Sequence, residues 1–144
     1  MIRAVLDANT VASGFAGLRK PDSIPGLLIR LWRQGRYEMI VSEHLRNEII
    51  RTFRQPYFRQ RLSPLQISRV AALLRYQATQ TPITDHVRGV ATHPEDDLIL
   101  ATALSGRVTH LVTGDEKLQR LGAYKDITIL SPRAFLELLT AQPG

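Results

Sequence analysis

The chain has 144 residues, 44% of them apolar and 22% charged, an ordinary globular composition with enough length for a real core. No apolar run approaches the ~20 residues of a membrane span, and the absence of cysteine excludes disulfides and thiolate metal sites. Net charge is +6, and 16 of the 19 basic residues are arginine, which permits a polyanionic partner without identifying one.

The first residues, MIRAVLDANT, place an acid where a secretory signal would stay apolar, so no targeting segment is expected and the location expected is cytoplasmic. Residues 2–6 (IRAVL) read as a short strand buried on both faces, ending in Asp7-Ala8-Asn9. Residues 14–26 carry Gly14, Gly17, Pro21, Pro25 and Gly26 and read as a loop. A helix over 27–34 and a strand over 37–41 follow, with Ser42 as N-cap of the next helix. That helix, 43–53, aligns Leu45, Ile49 and Phe53 on one stripe and sets Glu48 at its half-sheltered border. Ser63-Pro64-Leu65-Gln66 matches a capping box with proline at the first helical position, opening a helix that runs to about residue 78. An extended segment is expected over 81–84.

The stretch 94–115, PEDDLILATALSGRVTHLVTGD, reads as a helix, a stop and a strand. Pro94 suits the first helical turn, Gly106 suits a left-handed stop, and 108–113 (VTHLVT) is rich in β-branched residues. The helix covers roughly 18 Å and the strand retraces about that distance. Asp96 and Asp97 at the helix start therefore share a sheet edge with Asp115 just past the strand. A short helix over 116–121, a strand over 127–130 and a final helix over 132–139 capped by Ser131 complete the chain. Strands alternate with helices, so the expected fold is a single α/β domain over 1–144: Rossmann-like, three-layered, with a mainly parallel central sheet.

In such a sheet every strand ends, and every following helix begins, at the edge where ligands bind. Asp7, Glu48, Asp96, Asp97 and Asp115 all converge there from four elements distant in sequence. Each acid alone has a local explanation: helix-dipole compensation for Asp96 and Asp97, an N-cap for Asp115, a turn for Asp7 and a surface charge for Glu48. Together they would repel one another unless a divalent cation relieved the repulsion, and an all-oxygen set suits Mg²⁺ or Mn²⁺. Asn9 and Thr113 add neutral oxygens beside Asp7 and Asp115. The four histidines share no metal-ligand spacing and read as surface or loop residues, while Trp32 reads as a core anchor.

Four motifs in this order carry a resemblance: strand-Asp7-Ala8-Asn9; Ser42-Glu43 followed by Glu48; Pro94-x-Asp96-Asp97-x-x-Leu100-Ala101-x-Ala103; and Leu111-Val112-Thr113-Gly114-Asp115. The chain resembles the PIN-domain ribonucleases over essentially its whole length, and Ser131-Pro132-Arg133-x-Phe135-Leu136 resembles one bacterial subgroup. The resemblance implies a metal-dependent ribonuclease, the toxin of a VapC-type toxin–antitoxin pair, with an RNA substrate, a small antitoxin partner and a homodimeric state. By position, Asp7, Glu48, Asp97 and Asp115 match the family's acidic quartet as catalytic residues and metal ligands, with Asp96 as an additional ligand. Asn9 and Thr113 match its accompanying polar positions. Ala8 stands where threonine or serine is common, and His93 where the subgroup has an acid, which leaves the site one charge poorer.

Two rivals remain at this point. One is a noncatalytic module that binds RNA or a partner at the same rim. The other is a haloacid-dehalogenase-type phosphatase, with Asp7 as nucleophile, which would need an aspartate where Asn9 stands and for which no convincing catalytic lysine follows Val112.

Overall fold

Ala4, Val5 and Leu6 are all buried, and because neighbours along a strand point to opposite faces, both faces of the sheet are covered there. The fold is seen in a computed structural model that describes residues 1–91 and 93–141. Residue 92 and residues 142–144 of the expected domain lie outside the described residues. The elements are β1 (Arg3–Leu6), α1 (Ala8–Ala16), α2 (Ile24–Arg33), β2 (Glu38–Val41), α3 (Glu43–Thr52), α4 (Pro56–Arg59) and α5 (Pro64–Tyr76). They continue with β3 (Thr79–Gln80), α6 (Pro94–Ser105), β4 (His110–Val112), α7 (Glu116–Leu121), β5 (Ala123–Tyr124), β6 (Ile127–Leu130) and α8 (Pro132–Ala141).

One sheet has the order β3-β2-β1-β4-β6-β5. Every neighbouring pair is parallel except β5 with β6, which is antiparallel. The chain thus builds outward from β1 in both directions, and the carboxyl ends of β1, β2 and β4 open on one rim. This is the expected α/β architecture.

Local chemistry explains most boundaries. Ser42 accepts the Leu45 amide and starts α3. Ser63 and Gln66 form the reciprocal capping box of α5, and Ser131 accepts the Ala134 amide at α8. Trp32 is buried, as a core anchor should be, and Tyr37 meets Phe135 edge-on at 5.1 Å while its hydroxyl donates to the Leu28 carbonyl.

Three expectations are corrected. The breakers of 14–26 do not make one loop: α1 extends to Ala16, and Ser23 caps α2 with Pro25 in its first turn. Gly14 lies inside α1 because the two helices touch there, and a Cβ would sit 2.4 Å from Ile29 Cγ1. The extended segment falls at β3, two residues before its expected place, where it pairs with Ile40 and Val41. Gly106 keeps φ −79° and Arg107 takes the left-handed conformation at φ 53°, with the Arg3 guanidinium holding the Gly106 carbonyl at 2.8 Å. The short α4 and β5 have no counterpart among the expected elements.

Candidate active site

Leu6 pairs with Val112 across the parallel β1–β4 ladder, so the next residues, Asp7 and Thr113, emerge side by side. Asp7 caps α1, its Oδ1 accepting the Thr10 amide at 2.9 Å. Its Oδ2 accepts the Thr113 hydroxyl at 2.7 Å and the Gly114 amide at 3.2 Å. The same Thr113 oxygen, fully buried, accepts the Asp115 amide at 3.0 Å. Asp115 in turn caps α7 by accepting the Lys117 amide at 2.8 Å. Capping and a place at the rim therefore coexist in Asp7 and Asp115, and Thr113 locks the two together.

Two helices bring further acids to this rim. Glu48, half-buried on α3, and Glu95 and Asp96, from the first turn of α6, join Asp7, Asn9, Thr113 and Asp115 around an open cleft of about 660 Å³. Burial raises the pKa of Glu48; His44 and Arg51 oppose the shift, and the charges of Glu95 and Asp7 add to it. Burial also raises the pKa of Asp96, reinforced by Asp115, Glu95 and Asp7 and opposed by His93. The acids thus sense one another's charge across the cleft.

Asp97 is not part of this cleft. The sequence reading placed it in the acidic quartet, with Asp96 as an addition; the structure puts Asp96 on the rim and turns Asp97 away. The Asp97 carboxylate is buried and accepts the backbone amides of Gly89, Val90 and Ala91 at 2.9, 3.2 and 2.7 Å. Glu95 is the acid that sequence reasoning left out. Its signal was its place one turn before Ile99, another residue of the cleft wall.

The remaining candidates sort plainly. His110 is half-buried in β4 rather than a surface residue, 5.8 Å from the Phe135 ring, and burial lowers its pKa. Among the described residues no arginine lines the cleft, those on and beside α3 and α4 (Arg46, Arg51, Arg54, Arg59 and Arg61) included. Arg61 stacks its guanidinium 3.6 Å from the Tyr57 ring.

A divalent cation suits this donor set. The cleft offers carboxylate oxygens from Asp7, Glu48, Asp96 and Asp115, with neutral oxygens beside them, which is the chemistry of a hard ion. Burial, the main cause of the raised pKa values of Glu48 and Asp96, and the like charges that add to it both disfavour the ionised carboxylates, a cost that a cation would offset. Among the described residues no three Asp, Glu or His side chains form a ready-made metal cage. The acids are gathered at one cleft without being drawn together.

Comparison with known proteins adds one finding. The family model described as PIN domain matches residues 3–117, well over half of the chain, a span that includes all four cleft acids just named. No curated protein matches the chain.

Proposed function

The chain belongs to the PIN-domain family, and from that premise we propose that it is a divalent-metal-dependent endoribonuclease acting at the cleft of Asp7, Glu48, Asp96 and Asp115. PIN domains are in general nucleases, and the sheet with its flanking helices has the Rossmann-like form of the family. The observation that carries the proposal is the convergence of these four acids, each from a different element, on one open cleft at the carboxyl ends of the strands.

Bound Mg²⁺ or Mn²⁺ would neutralise the scissile phosphate and favour attack by water. The chain's own residues supply the rest. Asp7, fixed by three donors, is the stationary metal-binding carboxylate. Asp96 and Asp115 complete the set, with Thr113 holding Asp115 in register with Asp7. Glu48, whose raised pKa makes it a better proton acceptor than a solvated glutamate, takes the proton of the attacking water. In-line attack breaks the P–O3′ bond and leaves a 5′-phosphate and a 3′-hydroxyl. The excess of arginine supports an RNA backbone as the anion held nearby. The cellular role proposed is that of the toxin in a type II toxin–antitoxin pair, supported by the ordered motifs and the +6 charge.

Cleavage of total RNA by the purified protein tests this reading, with Mg²⁺ or Mn²⁺, with EDTA, and with Asp7→Asn. Cutting that requires the metal and disappears in the variant is the expected result. Equal cutting by both proteins would mark a contaminant. RNA binding without cutting, in a folded protein, would favour a noncatalytic module.

A further inference from the structure

Asp96 and Asp97 are consecutive, about 100° apart around a helix, yet they serve different neighbours. Asp97 is 9% exposed, and both its oxygens point at the backbone of residues 89–91. Gly89, at φ +70°, turns the chain so that three successive amides face one carboxylate. Among the described residues no Lys, Arg or His side chain forms an ion pair with it. These charge-assisted bonds are what keep a buried carboxylate satisfied.

Among the described residues the start of α6 has no other latch of this kind. Its N-cap, His93, makes no side-chain capping bond. The loop held by Asp97 reaches further: Val90 and Ala91 border a small cavity of about 70 Å³ with Asp96, Lys117, Leu118 and Leu121. It therefore sits between the first turn of α6, which carries Asp96, and α7, which Asp115 caps.

We infer that Asp97 is a positioning residue: by latching residues 89–91 to the first turn of α6, it fixes the direction of Asp96 and its spacing from Asp115. The inference rests on the nuclease reading of the cleft. Asparagine in place of Asp97 keeps one carbonyl oxygen for Val90 and Ala91 but turns an amide group toward the Gly89 N–H, so the latch is weakened without a change of volume. Alanine removes it altogether.

The test uses Asp97→Asn, Asp96→Asn and, as an independent route to the same latch, Gly89→Ala, which strains a left-handed backbone while leaving Asp97 intact. In metal-free protein, Asp97→Asn and Gly89→Ala should speed amide exchange at residues 89–91 and shift the backbone amide signals of Asp96 and Asp115. In Mn²⁺ titrations followed by calorimetry, both should weaken binding about 10- to 100-fold, the usual scale for a residue that orients a ligand. Their RNA cleavage should return at high Mn²⁺, whereas that of Asp96→Asn should not. Unchanged Asp96 signals and unchanged Mn²⁺ affinity in both latch variants would overturn the inference. Cleavage lost in Asp97→Asn at every Mn²⁺ concentration would overturn it in favour of Asp97 as a direct ligand. A wild type that neither binds Mn²⁺ nor cuts RNA would instead sink the nuclease reading, and the metal-free amide signals would still decide whether Asp97 directs Asp96.

Discussion

Ser42 and Thr102, 60 residues apart in the chain, share a buried hydrogen bond of 2.9 Å between their hydroxyls. Ser42 also accepts the Leu45 amide, and Thr102 also reaches the Leu98 carbonyl. The bond therefore ties the start of α3, which carries Glu48, to the middle of α6, which carries Asp96. Thr102→Val keeps the volume and deletes the bond, and should cost about 1–2 kcal/mol. Ser42→Ala, which removes the cap as well, should cost more. Urea denaturation monitored by circular dichroism checks both; equal stability of Thr102→Val and wild type would show that the tie contributes nothing.

The Thr113 hydroxyl donates a hydrogen bond to Asp7 and accepts one from the Asp115 amide. Thr113→Val breaks both bonds at a buried site, and RNA cleavage should fall about 10- to 100-fold with the fold retained. Thr113→Ser keeps the hydroxyl and should keep most of the activity. Single-turnover cleavage rates of the two variants separate loss of the hydroxyl from loss of packing.

Glu48 and Asp96 both have pKa values raised in the fold. A raised pKa contributes stability that is whole below the unfolded value and is lost as pH rises through the folded one. At neutral pH both carboxylates therefore weigh against the metal-free fold. Glu48→Gln and Asp96→Asn should melt above wild type in EDTA at neutral pH, with the gap closing toward pH ~4. Mn²⁺ should raise the melting temperature of wild type more than that of either variant. Thermal melts across pH, with EDTA or Mn²⁺, decide it, and variants that melt below wild type in EDTA would contradict the charge argument.

Alanine in place of glycine inside a helix normally stabilises by roughly 0.5–1 kcal/mol. Gly14→Ala should do the opposite, because its Cβ would lie 2.4 Å from Ile29 Cγ1 and 2.8 Å from the Pro25 carbonyl oxygen. Forcing α1 and α2 apart should cost about 1–3 kcal/mol. A stabilised variant in chemical denaturation would mean that the helices shift to accommodate it.

Much of this arrangement was legible in the sequence. Ser42, the box at Ser63 and Gln66, and Ser131 announced their helices by local side-chain chemistry. The apolar run in β1 announced a strand covered on both faces. What escaped depended on contacts between distant segments. Gly14 and Pro25 look like breakers until α1 and α2 are seen to touch. Asp96 and Asp97 could not be told apart because α6 is buried continuously from Ile99 to Ala103, so its apolar residues declare no single face. The partners that claim Asp97 are backbone amides of a loop, and no side chain there announces them; Gly89 marks only the turn that aims them.

Asp7 has its carboxylate taken up by three donors, whereas the carboxylates of Glu48 and Asp96 accept no hydrogen bond among the described residues. The cleft is thus a fixed post with two arms unbonded at their carboxylates, the Asp96 arm aimed by its latched helix turn but not held at its tip. Whatever cation or phosphate settles there must also freeze two long-range rotors, each at about 0.5–1.5 kcal/mol of lost side-chain freedom. Affinity at this rim is accordingly limited by entropy as well as by charge, and ligand capture doubles as the step that gives the acids one shared conformation.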